Sequence, residues 1–274
     1  MSVAIDLHPN EIAERLTGRP YTSWSAITTY MACPLRYCMR YVEGLPEESV
    51  SASLVFGGSI HRAVEAQMRE RLMGNPAPSL EVLMAAYDDG WLEHEAQHVQ
   101  FGKGDDRTTL DDLARRMLTA FQASELADPP GTIIGIEEEL TGELVPGVPD
   151  LLARVDLLVD DGDALTLTDL KTARSRWSQE QVQSSAGQLL LYHELAKPIA
   201  DGRPIRLEFA VLTKTKTPEV YRHEVWADPR QIERMKRIVE RVWGAIEAGI
   251  FFPSPSPMQC PGCPFREACR DWAG

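Results

Sequence analysis

Along the first 130 residues the apolar positions recur every three or four residues, and beyond Pro129-Pro130 they shift toward alternation. Ser23 or Ser25 is placed to cap a helix running to about Ala32, and Pro34 suits the first turn of a second that ends near Gly44. Phe56-Gly-Gly-Ser opens a third, with Ile60, Ala63, Val64, Met68 and Leu72 on one face. Two more helices, over about 79–98 and 108–127, flank the turn Gly102–Asp106. Strands follow at 132–139, 143–148, 151–159 and 164–170, a run of hairpins. A helix over 179–197, strands at 205–213 and 219–226, and a helix over 228–248 complete the pattern. This order predicts an α/β fold: a mixed central β-sheet flanked by helices, with an amino-terminal helical region.

Composition narrows the class. The chain has 274 residues, 43% of them hydrophobic, enough for a substantial core and incompatible with a disordered or fibrous protein. No apolar stretch approaches the roughly 20 residues of a spanning helix, and the start shows no basic region followed by an apolar one. A cytoplasmic location is expected. The net charge of −13 argues at first against a nucleic-acid partner. Residues 81–150, however, hold sixteen Asp and Glu against four Lys and Arg, which leaves the rest of the chain within one charge of neutrality.

The densest chemistry lies between Arg154 and Thr172. A hairpin there sets Asp156 on one strand and Asp169 on the next, with Lys171 two residues on and so on the same strand face as Asp169. Their neighbours are Val155, Leu157, Leu158, Leu167 and Leu170, so these charges sit on strands that should be largely buried, where unpaired charge is costly. Taken alone, an Asp-x-Lys has a simpler reading, in which Asp156 forms a salt bridge with Lys171 or Arg154 and Asp169 caps a turn. Two carboxylates and a main-chain carbonyl also suit Mg²⁺ or Mn²⁺, with the lysine beside the reacting phosphate. The helix after Gly57 carries His61 and Glu65 one turn apart, His61 being a candidate ligand steadied by Glu65. Gln188 and Tyr192 form a polar stripe among Leu189, Leu190, Leu191 and Leu195.

Basic residues gather near these positions. Arg174 and Arg176 flank Trp177, a combination suited to phosphate contact and base stacking, with Lys214 and Lys216 in a later loop. Those on the last helix, from Arg230 to Arg241, read instead as a solvated face paired with Glu233 and Glu240.

Of five cysteines, Cys260, Cys263 and Cys269 lie within ten residues in a Pro- and Gly-shaped loop. Cys33, which precedes a proline as Cys260 and Cys263 do, is the expected fourth member, and Cys38 is expected to fill core. Four thiolates accept either Zn²⁺ or a [4Fe-4S] cluster, and spacing does not choose between them.

Gly57-x-x-x-His61, Asp156, Asp169-Leu-Lys171 and Gln188-x-x-x-Tyr192, in this order, resemble the PD-(D/E)XK nuclease superfamily in its RecB-like branch. Together with the cysteine pattern they are similar to its iron–sulfur members, such as the CRISPR-associated RecB-like exonucleases and the AddB carboxy-terminal nuclease. The resemblance implies a restriction-endonuclease-like core in which His61, Asp156, Asp169 and the Leu170 carbonyl hold Mg²⁺ or Mn²⁺. It makes Lys171 the catalytic lysine and puts Gln188 and Tyr192 along the substrate path. It also implies a structural [4Fe-4S] cluster on Cys33, Cys260, Cys263 and Cys269. Asp150, after Pro149, is a second candidate for the first carboxylate, and Asp156 is preferred because its strand is unbroken.

The organisation expected is a single iron–sulfur nuclease domain over 1–274. It comprises a helical region (21–75), an acidic helical insertion (79–128), a nuclease core (131–250) and a cysteine-clasped tail (251–274). The implied function is a metal-dependent DNA exonuclease of recombination, repair or processing. Its substrate would be single-stranded DNA or DNA with free ends. Because the chain contains no Gly-x₄-Gly-Lys-[Ser/Thr], unwinding would fall to a separate helicase or recombination partner. The alternative is a non-catalytic DNA-binding or adaptor module of a recombination or CRISPR-adaptation complex.

Overall fold

The structure is a computed structural model that describes residues 7–47 and 49–273. The chain forms two compact units. One gathers the described residues of 1–48, 140–153 and 228–274, and the other those of 49–139 and 154–227.

The second unit carries the central sheet. Its strands are β4 (Thr132–Gly142), β5 (Leu151–Asp160), β6 (Leu165–Ala173), β7 (Ile205–Thr213) and β8 (Val220–Val225), the last residues of β4 and the first of β5 being assigned to the other unit. β5 and β6 are antiparallel with Leu157 opposite Thr168, β6 and β7 are parallel, β7 and β8 are antiparallel, and β4 pairs with β5. The parallel step needs a long crossover. It is supplied by α7 (Gln179–Ser185) and α8 (Gly187–Ala200), which replace the single helix expected over 179–197. Ser184, Ser185 and Gly187 are weak helix formers, and the chain turns at Ala186 between them.

The main core lies under three helices, α4 (Ala52–Leu72), α5 (Leu80–Leu92) and α6 (Arg107–Gln122). Phe56, Ile60 and Met68 of α4 meet Leu83, Tyr87 and Trp91 of α5, Met117 and Phe121 of α6, and Leu157, Leu170 and Leu212 of the sheet. The acidic stretch is therefore built into the core rather than laid over it. Its carboxylates sit on outward faces, as at Glu81, Asp88, Asp89 and Asp112. The helices are shorter than expected: beyond Leu92 no buried position recurs, and the chain enters β3 (His98–Gln100), parallel to β2 (Ser49–Ser51). No strand forms over 143–148, where Pro146 and Pro149 withhold main-chain donors. β4 instead continues through Thr141 and Gly142.

The first unit is mostly helical: α1 (Pro9–Thr17), α2 (Trp24–Ala32), α3 (Pro34–Tyr37), a π-helical turn (Cys38–Val42), α9 (Pro229–Glu247) and α10 (Arg266–Asp271). In it β1 (Thr22–Ser23) runs parallel to Leu151 and Leu152 at the start of β5. Two long-range bonds tie its beginning to its end, Leu35 N–H to Phe252 O at 3.0 Å and Tyr30 Oη to Ile250 O at 2.6 Å. Leu35, Cys38, Met39 and Phe265 form a small core there.

Candidate active site

The second unit gathers His61, Asp156, Asp169, Lys171, Gln188 and Tyr192. The register that sets Leu157 opposite Thr168 brings Asp156 across from Asp169 one step further along. At that step the Asp156 carboxylate accepts the Leu170 N–H through Oδ2 at 2.6 Å, while its Oδ1 lies 3.6 Å from His61 Nδ1. Lys171 Nζ pairs with Asp169 Oδ2 at 2.6 Å and lies 3.4 Å from Gln188 Oε1. Gln188 in turn donates to Tyr192 Oη at 3.2 Å.

Tyr192 is 6% exposed, and its hydroxyl accepts from Gln188, the residue beside Lys171. Burial raises the Tyr192 phenol. Asp150 belongs to the first unit, where its carboxylate accepts from Asn10 Nδ2 at 3.0 Å and its N–H donates to Asn10 Oδ1 at 2.8 Å. Glu65 pairs with Arg69, one turn further along α4, rather than steadying His61.

One participant is not evident from motif spacing. Glu137 of β4 offers a carboxylate oxygen that, with ligand atoms of His61 and Asp156, forms a group lying within 4.8 Å of one another. Its Oε2 pairs with Arg154 Nε at 2.8 Å. Glu137 adopts φ 51°, in the left-handed region, within a strand where Gly135 and Ile136 are both buried. That break in alternation is the mark of a bulge, which turns the side chain toward the site. In the sequence the only trace is three consecutive glutamates after a glycine in an otherwise alternating strand.

The electrostatics follow from crowding. Burial, then the Asp156 charge, pushes Asp169 up to about 6 against the pull of Lys171. Burial and Asp156 likewise push Glu137 up to about 6, with Arg154 opposing. Burial alone would raise Asp156, but His61, the Leu170 N–H and Lys171 together hold it below the usual range. Burial alone would lower His61, and Asp156 carries it above its ordinary value. Repulsion between carboxylates that burial cannot relieve is what a divalent cation neutralises. The buried Asp169 Oδ2 has an ammonium beside it but no aligned hydrogen bond, and the donors are imidazole and carboxylate. The set fits Mg²⁺ or Mn²⁺.

Of the residues expected to meet substrate, Arg174 is exposed. Arg176 lies over the Tyr221 ring at 4.7 Å, and Trp177 rests on Phe209 with ring centroids 5.1 Å apart. Lys214 donates to Ser53 Oγ at 3.2 Å beside Phe56.

In the first unit, Cys33, Cys260, Cys263 and Cys269 line one cavity of about 260 Å³ together with Arg36, Arg266 and Arg270. Burial raises the Cys269 thiol, and the other three sulfurs, close enough to repel its charge, raise it further. Main-chain N–H groups of Ser254 and Ser256 point at Cys33 Sγ and Cys260 Sγ, at 3.4 and 3.2 Å. Four cysteines lining one cavity, two of them met by amide donors, offer the donor chemistry that a four-thiolate centre uses. Cys38 stands apart: it donates to Glu43 Oε1 at 3.7 Å, and burial with the Glu43 charge pushes its thiol up to about 11.

A family model of the PD-(D/E)XK nuclease superfamily matches residues 21–270. The chain belongs to that superfamily. Its activity class is that of a nuclease, and its mixed sheet flanked by helices is consistent with the superfamily's restriction-endonuclease-like fold. A comparison with curated proteins finds no match. Among solved structures, it is similar to a chain from Eubacterium rectale provisionally named an exonuclease. The TM-score is 0.57 at 14% identity, covering 99% of this chain and 93% of the other. Two looser likenesses add nothing to the assignment. One is SSO0001 (TM-score 0.35, 14% identity, 80% and 85% covered). The other is Rai1 of Scheffersomyces stipitis (TM-score 0.24, 12% identity, 91% and 74% covered). Among the described residues, no helix is long and apolar enough to cross a membrane.

Proposed function

We propose that the protein is a metal-dependent DNA exonuclease of the RecB-like branch that carries a structural [4Fe-4S] cluster and serves recombination, repair or DNA processing. The observation that carries the reading is the convergence of His61, Asp156, Asp169 and Lys171 in a chain of this superfamily. His61, Asp156, Asp169 and the Leu170 carbonyl would hold Mg²⁺ or Mn²⁺. A bound divalent ion supplies Lewis-acid polarisation of the phosphate and a water acidic enough to attack it.

The chain's own residues do the rest. Asp156, fixed by the Leu170 N–H, keeps one carboxylate oriented whether or not a substrate is present. Lys171 is a compact cation on the strand end, and Gln188 and Tyr192 limit where its ammonium can sit. Drawn from Asp169 toward a scissile phosphate, it would stabilise charge that develops there. Arg174 is free to meet a neighbouring phosphate, whereas Arg176 and Trp177 would have to leave Tyr221 and Phe209 to do so.

The cysteine clasp sits in a different unit from these residues, which supports a structural role for the cluster. It would join residue 33 to residues 260–269, stabilising the fold through the energy of metal binding. Unwinding would come from a separate helicase or recombination partner. The test is product analysis with Mn²⁺ on end-labelled linear DNA and on covalently closed circles. Digestion of the linear substrate alone, abolished by EDTA and restored by Mn²⁺, is expected, and anaerobically purified protein should be brown with about four iron per chain. Nicking of circles would overturn the exonuclease reading, and a colourless zinc protein would overturn the cluster.

A further inference from the structure

Glu137 departs from strand geometry without an evident structural return. A non-glycine residue at φ 51° is strained relative to an extended conformation, and such strain persists only where the surroundings over-determine it. The contact it makes in this state is an ion pair with Arg154, whose side chain is 64% exposed. An ion pair with so exposed a partner is screened by solvent and contributes little, so it does not offset the strain. The bulge does something else. It brings the carboxylate within 4.8 Å of donor atoms of His61 and Asp156 and into two cavities, of about 20 and 320 Å³, that both reach His61.

We infer that Glu137 is a further protein donor to the divalent cation held by His61 and Asp156, and that Arg154 is the counter-charge it gives up when that ion enters. The inference rests on the metal-dependent reading of the site. It adds that the guanidinium competes with the metal for one carboxylate. Arg154 is suited to that exchange because its exposure lets it swing into water at little cost, and it immediately precedes Val155 and Asp156 on β5, so it is tethered to the site it vacates. Entry of the cation thus replaces a weak, solvent-screened partner by a doubly charged one and leaves the strained backbone unchanged.

The test is Mn²⁺ binding to the full-length protein, cluster intact and stripped of divalent ions, measured without DNA by calorimetry and by the Mn²⁺ paramagnetic resonance signal. Glu137→Gln is expected to weaken binding by about 10-fold or more. Arg154→Gln is expected to tighten it by about 2- to 5-fold, the range an exposed ion pair allows. The double variant should bind like Glu137→Gln, because Arg154 has nothing left to compete for. Glu137→Asp keeps the carboxylate on a shorter arm and should fall between wild type and Glu137→Gln, which separates a ligand effect from a folding defect. Wild-type affinity in Glu137→Gln, or unchanged or weaker affinity in Arg154→Gln, overturns the inference while the site reading stands. Failure of the wild-type protein to bind Mn²⁺ overturns both.

Discussion

The Asp156 carboxylate accepts the main-chain N–H of Leu170 at 2.6 Å, so one side chain both orients a candidate metal ligand and closes the end of the β5–β6 ladder. Asp156→Ala removes both functions. It should abolish Mn²⁺ binding and lower stability by about 1–3 kcal/mol, the cost of leaving a buried donor unpaired. Asp156→Asn keeps an acceptor for that N–H and should lose activity while staying within about 1 kcal/mol of wild type. Denaturant unfolding in EDTA beside a cleavage assay checks the separation.

Gln188 links Lys171 to the buried Tyr192, so the proposed function has it act on cleavage through the lysine. Gln188→Ala is expected to lower kcat by about 10- to 100-fold with little change in KM, since the ammonium loses its restraint while DNA contacts persist. A rise in KM at constant kcat would instead place Gln188 on the substrate. Tyr192→Phe, which removes only the hydroxyl that accepts from Gln188, should show a milder form of the same kcat defect.

The hairpin that pairs Asp156 with Asp169 could be read directly from the chain, because apolar neighbours flank both carboxylates and the turn Asp160–Asp163 sets the register. The convergence of three cysteines was equally visible as spacing, and Cys33 and Cys38 differ as their surroundings would suggest. Glu137 was hidden because its position depends on a backbone bulge, and an alternation rule assumes there is none. The break at Ala186 was hidden for a related reason: leucines 189–191 and 195 continue a helical pattern that begins at Gln179, and only small residues mark the turn. Tyr192 matched its motif position, but burial, which periodicity on a leucine-rich helix does not resolve, decides what it can touch.

Cys38 should behave differently from the other four thiols. With its pKa pushed up to about 11 by burial and Glu43, the reactive thiolate is scarce at pH 8. After chelation of the proposed cluster under anaerobic conditions, brief treatment with iodoacetamide should modify Cys33, Cys260, Cys263 and Cys269 and spare Cys38. Peptide mass analysis reads this directly, and early modification of Cys38 would contradict its placement in the core.

α4 and α5 approach each other closely at Gly90. A Cβ there would lie 2.7 Å from Ser59 Oγ and 2.8 Å from Ser59 Cα, so the two helices would have to separate. Gly90→Ala should destabilise the protein by about 1–3 kcal/mol despite alanine's better helix propensity. Equal or greater stability in urea would show that the two helices are not held so close. The same contact makes the acidic helices part of the fold, so their surface charge is tested by substituting Asp88 and Asp89 rather than by deletion.

The proposed function makes Asp169 and Lys171 the residues that carry phosphodiester hydrolysis. Release of labelled nucleotides from linear DNA in Mn²⁺ by wild type, Asp169→Ala and Lys171→Ala, each first shown to be folded with the proposed cluster intact, is the measurement that decides this. Robust cleavage by wild type and a loss of at least about 1,000-fold in both variants are expected, as when a metal ligand or a charge-stabilising group is removed. Undiminished cleavage by either variant would contradict it.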